Sequence, residues 1–352
     1  MSGGVDSSAA AWLLKQEGYD VIGVTMEIWQ NEDMLSVEEN GGCCGLTAVE
    51  DARRVAETIG IPHYVMNFRK DFQKHVIDYF IDAYTHGRTP NPCIACNRYV
   101  KWEALLRRSL EIGADYIATG HYARIVQLPN GRYAVKKSVT EEKDQTYALY
   151  NLTQEQLSRT LMPAGAYTKD EIRAMADRAG LPVAHKPDSQ EICFVPDDDY
   201  AGFITANSSW VDTPGNFVDR SGKVLGQHKG IIHYTVGQRK GLGLAFGEPV
   251  FVIKTDPENN TVVLGKNDDL FYSHVKVRGV NWISGEAPGK PINVQAKLRY
   301  RQQAAPALLV PGGKDKAELV FVQPQRAPAP GQAAVFYDRD EVLGGGTIEH
   351  AF

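Results

Sequence analysis

Long apolar runs are missing from this sequence: no stretch approaches the roughly 20 consecutive apolar residues that a membrane-spanning helix needs. The N-terminus also lacks the basic and then apolar segments of a secretion signal. Cysteine is scarce, and an odd set of five in 352 residues argues against a secreted disulfide framework. We therefore expect a cytoplasmic protein that does not bind membranes and whose cysteines are reactive or metal-binding thiols.

An excess of positive charge is missing too. The 38 basic and 43 acidic residues give a formal net charge of -5, which argues against a generally basic nucleic-acid-binding protein. RNA binding would therefore depend on local patches. Because 352 residues exceed one ordinary domain, we expect two or three hydrophobic cores.

The first eight residues, MSGGVDSS, predict a loop that binds the phosphates of a nucleotide. Gly3 and Gly4 let the backbone turn tightly and approach an anion, and the flanking serine hydroxyls can donate to phosphate oxygens. A helix predicted from Ser8 to Glu17 would direct its first amides at the same charge. The lysine of a Walker loop is absent, so the alternatives are another kind of phosphate loop or a serine-capped glycine turn. Such a loop normally follows a buried strand, which predicts a first strand upstream of Met1.

Strands and helices alternate as far as about residue 206. Strands are predicted at residues 21–26, 63–67 and 116–118. This alternation predicts an α/β fold with a parallel sheet, whose ligands bind at the carboxyl ends of the strands. Met26 and the segment with Gly120 and His121 are therefore expected near the first loop. Alternatively, His121 is an ordinary hydrogen-bonded loop histidine.

Cys93 and Cys96 lie in a proline-rich segment, RTPNPCIACN, ahead of a helix predicted from about Arg98. A helix N-terminus and the nearby Arg98 and Lys101 favour a thiolate over the thiol, whose ordinary pKa is roughly 8.5. Cys96 is therefore a candidate nucleophile, and Cys193 is a second candidate far along the chain. Each cysteine taken alone is alternatively a buried, inert thiol.

The sequence changes to short, glycine-rich alternating segments beyond Pro214 and Gly215, which indicates a domain boundary. Residues 251–255 and 261–265 are predicted to pair as a hairpin. Residues 292–301 form the clearest predicted strand, in which apolar residues alternate with polar or basic ones. Its basic face suits an RNA backbone, or equally the solvated outside of a barrel.

Eight strings occur along the chain in the order SGGVDSS, RTPNPCIACN, ATGHYAR, KDQTYALY, DSQEICF, GQRKGLGL, LRYRQ and LGGG. Together they resemble the bacterial tRNA-specific 2-thiouridylases, which belong to the ATP pyrophosphatases with a pyrophosphate (PP) loop. The match extends over essentially the whole chain. The resemblance implies an α/β PP-loop thiolation domain with a parallel sheet (residues 1–206), a small β-rich central domain (207–271) and a tRNA-contacting β-barrel (272–352).

The resemblance implies an ATP-dependent sulfurtransferase that replaces O2 of the wobble uridine of tRNA with sulfur. ATP with Mg²⁺ would first transfer AMP to that oxygen, because a carbonyl oxygen is a poor leaving group. A persulfide on Cys193 would then supply sulfur, delivered by a sulfur carrier or a cysteine desulfurase. Cys96 would attack the persulfide or resolve it, which leaves a transient disulfide between Cys96 and Cys193.

The resemblance also implies binding residues. ATP would contact Met1, Ser2, Gly3, Gly4, Val5, Asp6, Ser7, Ser8, Met26 and Gly120. The target base and the rest of the tRNA would contact Asn91, Pro92, Cys93, His121, Lys143, Asp144, Gln145, Arg299, Tyr300 and Gln332. Because Arg299 and Tyr300 would point to opposite faces of one strand, Arg299 is the preferred RNA contact.

Cys93 departs from the resemblance, because family members often carry aspartate at this position. Three thiols, Cys93, Cys96 and Cys193, could therefore converge and hold an iron–sulfur cluster of the [4Fe-4S] type. A zinc site that combined the Cys-x-x-Cys pair with Cys43 and Cys44 would lack ribbon-type spacing.

Two other functions fit parts of the sequence. A different PP-loop enzyme, such as an amidating or amino-acid ligase, would not need Cys96 and Cys193. A non-catalytic RNA-binding protein with a cysteine metal site would not need the phosphate loop. Thionucleoside formation that requires both thiols would discriminate the first function from these two.

Overall fold

The computed structural model describes residues 1–28, 46–187, 192–195, 197–244 and 247–352. The chain divides into two compact units. Unit 1 comprises Met1–Val76, Cys93–Asp198 and Asp340–Val342, and unit 2 comprises Ile77–Pro92, Asp199–Arg339 and Leu343–Phe352. Cys43 and Cys44 lie outside the described residues.

The helices of the described chain are mostly short. The α-helices are α1 Val5–Gln16, α2 Leu46–Ile59, α3 Arg69–Phe72, α4 Asp78–Thr85, α5 Pro92–Ala95, α6 Leu106–Glu111, α7 Gln154–Ser158, α8 Lys169–Arg178 and α9 Tyr200–Ala206. Two π-helical segments are Gln73–Ile77 and Cys96–Leu105. None of these helices combines the length and apolar character needed to cross a membrane.

The strands fall into a parallel group and a mainly antiparallel group. They are β1 Gly23–Glu27, β2 His63–Asn67, β3 Ile117–Ala118, β4 Ala123–Gln127, β5 Tyr133–Lys137, β6 Thr160–Leu161, β7 Gly215–Val218, β8 Val224–His228, β9 Phe251–Asp256, β10 Thr261–Gly265, β11 Phe271–Trp282, β12 Ile292–Lys297, β13 Ala305–Pro311, β14 Lys316–Arg326, β15 Ala333–Asp338 and β16 Glu341–Ala351.

Unit 1 contains the parallel strands that the sequence predicts. β1 pairs with β2 from Gly23 opposite His63 to Glu27 opposite Asn67, and β3 pairs with β6. β4 and β5 form an antiparallel hairpin that the sequence reasoning missed, although Asn130-Gly131 is a hairpin signal. These pairings place the carboxyl ends of β1 and β3 in the unit that also holds the first loop.

α1 and α8 pack together in unit 1 through small and aliphatic side chains. Val5 and Ala9 of α1 share a buried cluster with Ile172 and Ala176 of α8. α8 begins as predicted, because Thr168 and Glu171 form a capping box with reciprocal hydrogen bonds. This packing brings the start of α8 to the start of α1.

Unit 2 holds two sheets. The first has the strand order β8-β7-β10-β9, and its β9–β10 hairpin is the predicted one. The second is a closed barrel of six strands in the order β11-β14-β13-β12-β15-β16, closed by β11 with β16. Its interior is filled by inward-facing side chains such as Leu309, Leu319 and Phe336. The predicted β-barrel is therefore confirmed.

Two predicted boundaries are wrong, and both matter for the site. The helix expected from Arg98 begins at Pro92, because proline is well tolerated in the first turn of a helix. Cys96 therefore lies beyond that first turn. The strand expected to reach residue 301 ends at Lys297, where its pairing with β15 also ends.

Candidate functional site: a phosphate loop and two thiols

The first loop has the backbone of an anion site. Gly3 has φ +66, and a Cβ there would lie 2.5 Å from the Ala48 carbonyl oxygen, so only glycine fits. Gly4 is extended and is the N-cap of α1, which begins at Val5, three residues earlier than predicted. The first amides of α1 therefore belong to the SGGVDSS segment itself and can bind phosphate oxygens.

The serines of the loop mainly hold it in shape. The Ser2 amide donates to the Ser7 hydroxyl over 3.1 Å, and the two hydroxyl oxygens lie 3.2 Å apart. The Ser8 hydroxyl is buried and donates to the Gly4 carbonyl over 2.8 Å. In this conformation Ser8 therefore stabilises the turn, and Ser2 and Ser7 hold each other through their hydrogen bonds.

Asp6 accepts two hydrogen bonds on one oxygen. The ammonium of Lys169 and the hydroxyl of Tyr122 each donate to its Oδ1 atom over 2.7 Å. Lys169 is only 9% exposed, which is unusual for lysine and requires such a partner. Sequence reasoning missed Lys169, because its capping box predicts a helix start and says nothing about burial.

Gly120 packs against the backbone of the phosphate loop. A Cβ at Gly120 would lie 2.6 Å from the carbonyl carbon of Asp6 and 2.6 Å from the amide nitrogen of Ser7. The segment after β3 therefore contacts the phosphate loop directly. Met26 is half-buried in β1, and the hydroxyl of the preceding Thr25 donates to the Met1 carbonyl over 2.8 Å.

His121 lies beside this contact. Its Nδ1 atom is 2.8 Å from the Thr119 hydroxyl, and its ring packs 5.5 Å from the Trp102 ring. Burial, and then the positive charge of Lys101, hold the pKa of His121 well below its ordinary value. His121 is therefore neutral at pH 7 and would contact a base or ribose rather than pair with a phosphate by charge.

The two candidate thiols lie in the same unit as the loop. Cys96 is half-buried at the start of the segment Cys96–Leu105, and Cys193 is half-buried beside Phe194. The rings of Phe194 and Phe72 are 5.9 Å apart, and α3, which contains Phe72, packs against Cys96–Leu105. A short series of contacts therefore leads from the helix of Cys96 to the neighbour of Cys193.

Cys93 differs from both of these thiols. It is exposed, and it occupies the first turn of α5, where the positive end of the helix dipole acts. Within the described ranges, no group of three or more His, Cys, Asp or Glu side chains is arranged to hold a metal ion. In this structure Cys93, Cys96 and Cys193 are therefore not grouped as ligands of one cluster.

The sequence matches family descriptions along nearly its whole length. Residues 1–197 match the tRNA methyl transferase HUP domain, residues 206–266 the tRNA methyl transferase PRC-barrel domain, and residues 272–348 the Aminomethyltransferase beta-barrel domain. The chain is 62% identical to the tRNA-specific 2-thiouridylase MnmA of Lachnoclostridium phytofermentans, over 99% of this chain and 98% of that protein. The chain belongs to the tRNA-specific 2-thiouridylase family.

Further relatives agree with this assignment. The chain is 57% identical to the enzyme of the same name from Clostridioides difficile, over 99% of this chain and 96% of that protein. The predicted resemblance and the predicted architecture are thus confirmed. The protein is a tRNA sulfurtransferase.

Solved structures show only distant similarity. The U34-tRNA thiolase NcsA from Methanococcus maripaludis with its [4Fe-4S] cluster matches with a TM-score of 0.34 and 17% identity, over 59% of this chain and 65% of that chain. A predicted subunit of tRNA methyltransferase from Methanocaldococcus jannaschii matches with a TM-score of 0.27 and 18% identity, over 54% and 91% of the two chains. Neither similarity is close enough to carry an argument about this site.

Of the 2-thiouridylase residues expected to touch the anticodon arm, Gln145 holds the His121 segment in place. The Gln145 side-chain oxygen accepts from the Tyr122 amide over 2.9 Å, and the Gln145 amide donates to the Tyr122 carbonyl over 3.0 Å. Asp144 is buried, and its carboxylate accepts from the Ser138 amide and the Thr146 hydroxyl. Lys143 is half-buried at the end of a 3-10 turn.

Unit 2 brings two of the expected tRNA segments together. The side-chain amide of Gln332 donates to the Pro90 carbonyl over 3.2 Å, one residue before Asn91 and two before Pro92. The Thr89 amide donates to the Pro330 carbonyl over 2.8 Å. The loop that leads to Asn91 and the loop that contains Gln332 are therefore in direct contact.

Arg299 and Tyr300 differ in a way that the sequence did not show. The Arg299 guanidinium donates to the Ala327 carbonyl over 2.7 Å and to the Val236 carbonyl over 3.1 Å. Tyr300 is 42% exposed. Because the strand ends at Lys297, the argument that preferred Arg299 over Tyr300 from opposite strand faces does not hold.

We expect Arg299→Ala to destabilise the protein by about 2 kcal/mol, because it removes two charge-assisted hydrogen bonds. Tyr300→Ala should leave stability unchanged and weaken tRNA binding by about tenfold through lost stacking. Thermal unfolding and tRNA titration measure the two effects. The exposed neighbour Arg301 provides the control Arg301→Ala, which should keep the wild-type melting temperature. Weaker tRNA binding by a fully stable Arg299→Ala variant would reverse the assignment.

Proposed function

We propose that this protein forms 2-thiouridine at the wobble position by adenylating O2 of the base and then transferring sulfur from Cys193, with Cys96 as the second thiol. One observation carries the proposal: a single unit contains a glycine-dependent phosphate loop and both half-buried thiols. A ligase would need only the loop, and an RNA-binding protein with a cysteine metal site would not need the loop.

In the first half-reaction the loop holds the triphosphate of ATP. The amides at the start of α1 bind the β- and γ-phosphates, which become the leaving pyrophosphate, and Mg²⁺ offsets their charge. O2 of the uridine attacks the α-phosphorus, the bond to the β-phosphate oxygen breaks, and N3 of the base loses its proton. The product is an O2-adenylated base, in which AMP is a good leaving group.

In the second half-reaction a persulfide on Cys193 supplies the sulfur. Its terminal sulfur attacks C2, AMP leaves, and the Cys96 thiolate then attacks the Cys193 sulfur and releases the thiocarbonyl base. Alternatively, Cys96 attacks the persulfide first and releases hydrosulfide, which attacks C2. Both routes end in a Cys96–Cys193 disulfide, and two electrons from an external thiol reductant restore the enzyme.

We also propose the source of the sulfur and the role of each part of the chain. A cysteine desulfurase or a sulfur carrier delivers sulfur to Cys193. Residues 1–206 perform thiolation, residues 207–271 form a small central domain, and residues 272–352 contact tRNA. Since the substrate is tRNA, the protein works in the cytoplasm.

Reconstitution tests this function directly. Wild-type protein is incubated with a wobble-uridine tRNA transcript, Mg-ATP and a persulfide donor, and the digested nucleosides are analysed by mass spectrometry. We expect replacement of oxygen by sulfur, together with equimolar AMP and pyrophosphate. An added methyl group, as the family descriptions would suggest, or AMP formation without thiolation, would contradict the proposal. Anaerobic purification with an iron assay tests the [4Fe-4S] alternative in the same preparation.

We expect Lys169→Met to weaken ATP binding on the order of tenfold, because it leaves the Asp6 carboxylate uncompensated beside the phosphates. Isothermal titration with Mg-ATP measures the effect. Lys136→Met is the control, since Lys136 also pairs with an aspartate, Asp340 at 3.3 Å, and neither residue belongs to the loop. If the charge argument holds, Asp6→Asn combined with Lys169→Met loses no more affinity than Asp6→Asn alone. Two fully additive losses would contradict it.

A further inference from the structure

The sequence suggested three sources of positive potential at Cys96, and the structure removes the first. The helix that contains Cys96 begins at Pro92, so Cys93 rather than Cys96 lies in its first turn. The effect of the helix dipole falls off within that turn. The N-terminus of the helix therefore does not account for a reactive Cys96.

Arg98 is the second source, and its positive charge is largely balanced by interactions with other side chains. Its Nε atom lies 3.8 Å from a Glu103 carboxylate oxygen, and its guanidinium stacks 4.9 Å from the centre of the Tyr99 ring. Its side chain is also 45% exposed, so solvent screens what remains of its field.

Lys101, the third source, is held in place. Its ammonium donates to the Asn97 side-chain oxygen over 2.9 Å, and Asn97 is 4% exposed. The Asn97 amide in turn donates to the Ala148 carbonyl over 3.0 Å. The ammonium is thus fixed against the residue that follows Cys96 instead of moving in solvent.

The π-helical backbone places Lys101 on the face of Cys96. Hydrogen bonds in the segment Cys96–Leu105 run from residue i to i+5, so side chains four and five positions apart share a face. Lys101 is four residues after Asn97 and five after Cys96. The next residue, Trp102, packs its ring 5.5 Å from the His121 ring, and the charge of Lys101 adds to burial in lowering the pKa of His121.

We propose that Lys101, held by Asn97, is the positioning residue that keeps Cys96 as a thiolate. The inference rests on the proposed function, in which Cys96 is the second thiol. The interaction is electrostatic: no bond forms or breaks at the Lys101 nitrogen, and the stabilised thiolate attacks the Cys193 persulfide.

Several other titratable groups described near this helix have partners of their own. His75 stacks on Tyr99 with ring centres 4.7 Å apart, and Asp71 pairs with Arg108 at 3.1 Å near the far end of the helix. Glu103 pairs with Arg98. The charge of Lys101 contributes to the lowered pKa of His121.

The test measures the pH dependence of Cys96 alkylation by iodoacetamide in the intact, reduced protein without ATP or tRNA. Tandem mass spectrometry separates Cys96 from Cys93, which shares its tryptic peptide. We expect Lys101→Met to raise the midpoint for Cys96 by about one pH unit and to slow its alkylation at pH 7 about tenfold. Lys101→Arg should restore most of the rate, and Asn97→Ala should lower it in part.

Two controls make the result decisive. Arg107→Met removes an exposed cation from the same helix and should leave Cys96 unchanged. Cys193 in the same sample reports folding, because unfolding would speed the alkylation of both thiols. A wild-type midpoint in Lys101→Met would overturn the inference while the proposed function stands. Full thiolation by Cys96→Ser would instead overturn the proposed function.

Discussion

Serine in place of either Cys96 or Cys193 is expected to lower 2-thiouridine formation by at least about a thousandfold, because the two thiols act as one unit. A hydroxyl at position 193 cannot carry a persulfide, and a hydroxyl at position 96 cannot release sulfur from one. Gel mobility in the presence of a mercury reagent, or nucleoside mass spectrometry, measures the product.

The same variants provide their own control. Both should still form AMP in a single turnover with tRNA, because adenylation uses the loop from Ser2 to Ser8 and not the thiols. Wild-type thiolation by either serine variant would exclude the two-thiol cycle. Cys93→Ser separates the thiol cycle from a cluster, since only a cluster would require that exposed side chain for sulfur transfer.

Gly120→Ala is expected to weaken ATP binding by about a hundredfold. Its new methyl group would lie 2.6 Å from the backbone of Asp6 and Ser7, and a backbone shift of about 1 Å at a catalytic site has consequences of this size. Because the displaced atoms belong to the phosphate loop, no flexible side chain can move aside. Isothermal titration with Mg-ATP measures the loss.

Gly289→Ala is the matched control for this substitution. Like Gly120, Gly289 does not have positive φ, but a Cβ there meets nothing within 4 Å. It should bind ATP as the wild type does. If Gly120→Ala also bound ATP normally and kept its melting temperature, Gly120 would not be part of the nucleotide site.

Local signals in the sequence predicted several elements well. The capping box of Thr168 and Glu171 starts α8, and the turn between β9 and β10 forms the predicted hairpin. The same kind of signal was available and missed at Pro92, since proline in the first turn indicates a helix start. These features depend on residues a few positions apart, so a linear pattern contains them.

The end of β12 shows where such patterns fail. Apolar and polar residues go on alternating to Arg301, but the strand stops at Lys297. Alternation of apolar and polar residues indicates which face of an extended chain is apolar. A β-strand also needs a neighbouring strand that accepts and donates its backbone hydrogen bonds. The pairing with β15 ends at Lys297 opposite Val335, and no pattern within residues 292–301 indicates this.

The sequence by itself determined the family, the order of the elements around the phosphate loop and the two thiols proposed for the chemistry. Only the tertiary structure decided which polar groups pair: Lys169 with Asp6, Arg299 with two carbonyls, and Lys101 with Asn97. It also showed that Cys96 lies beyond the first turn of its helix, not at the helix N-terminus. Lys169 and Asp6 are 163 residues apart. The physical reason is that burial and charge pairing are set by neighbours in space, and a linear pattern records only neighbours in the chain.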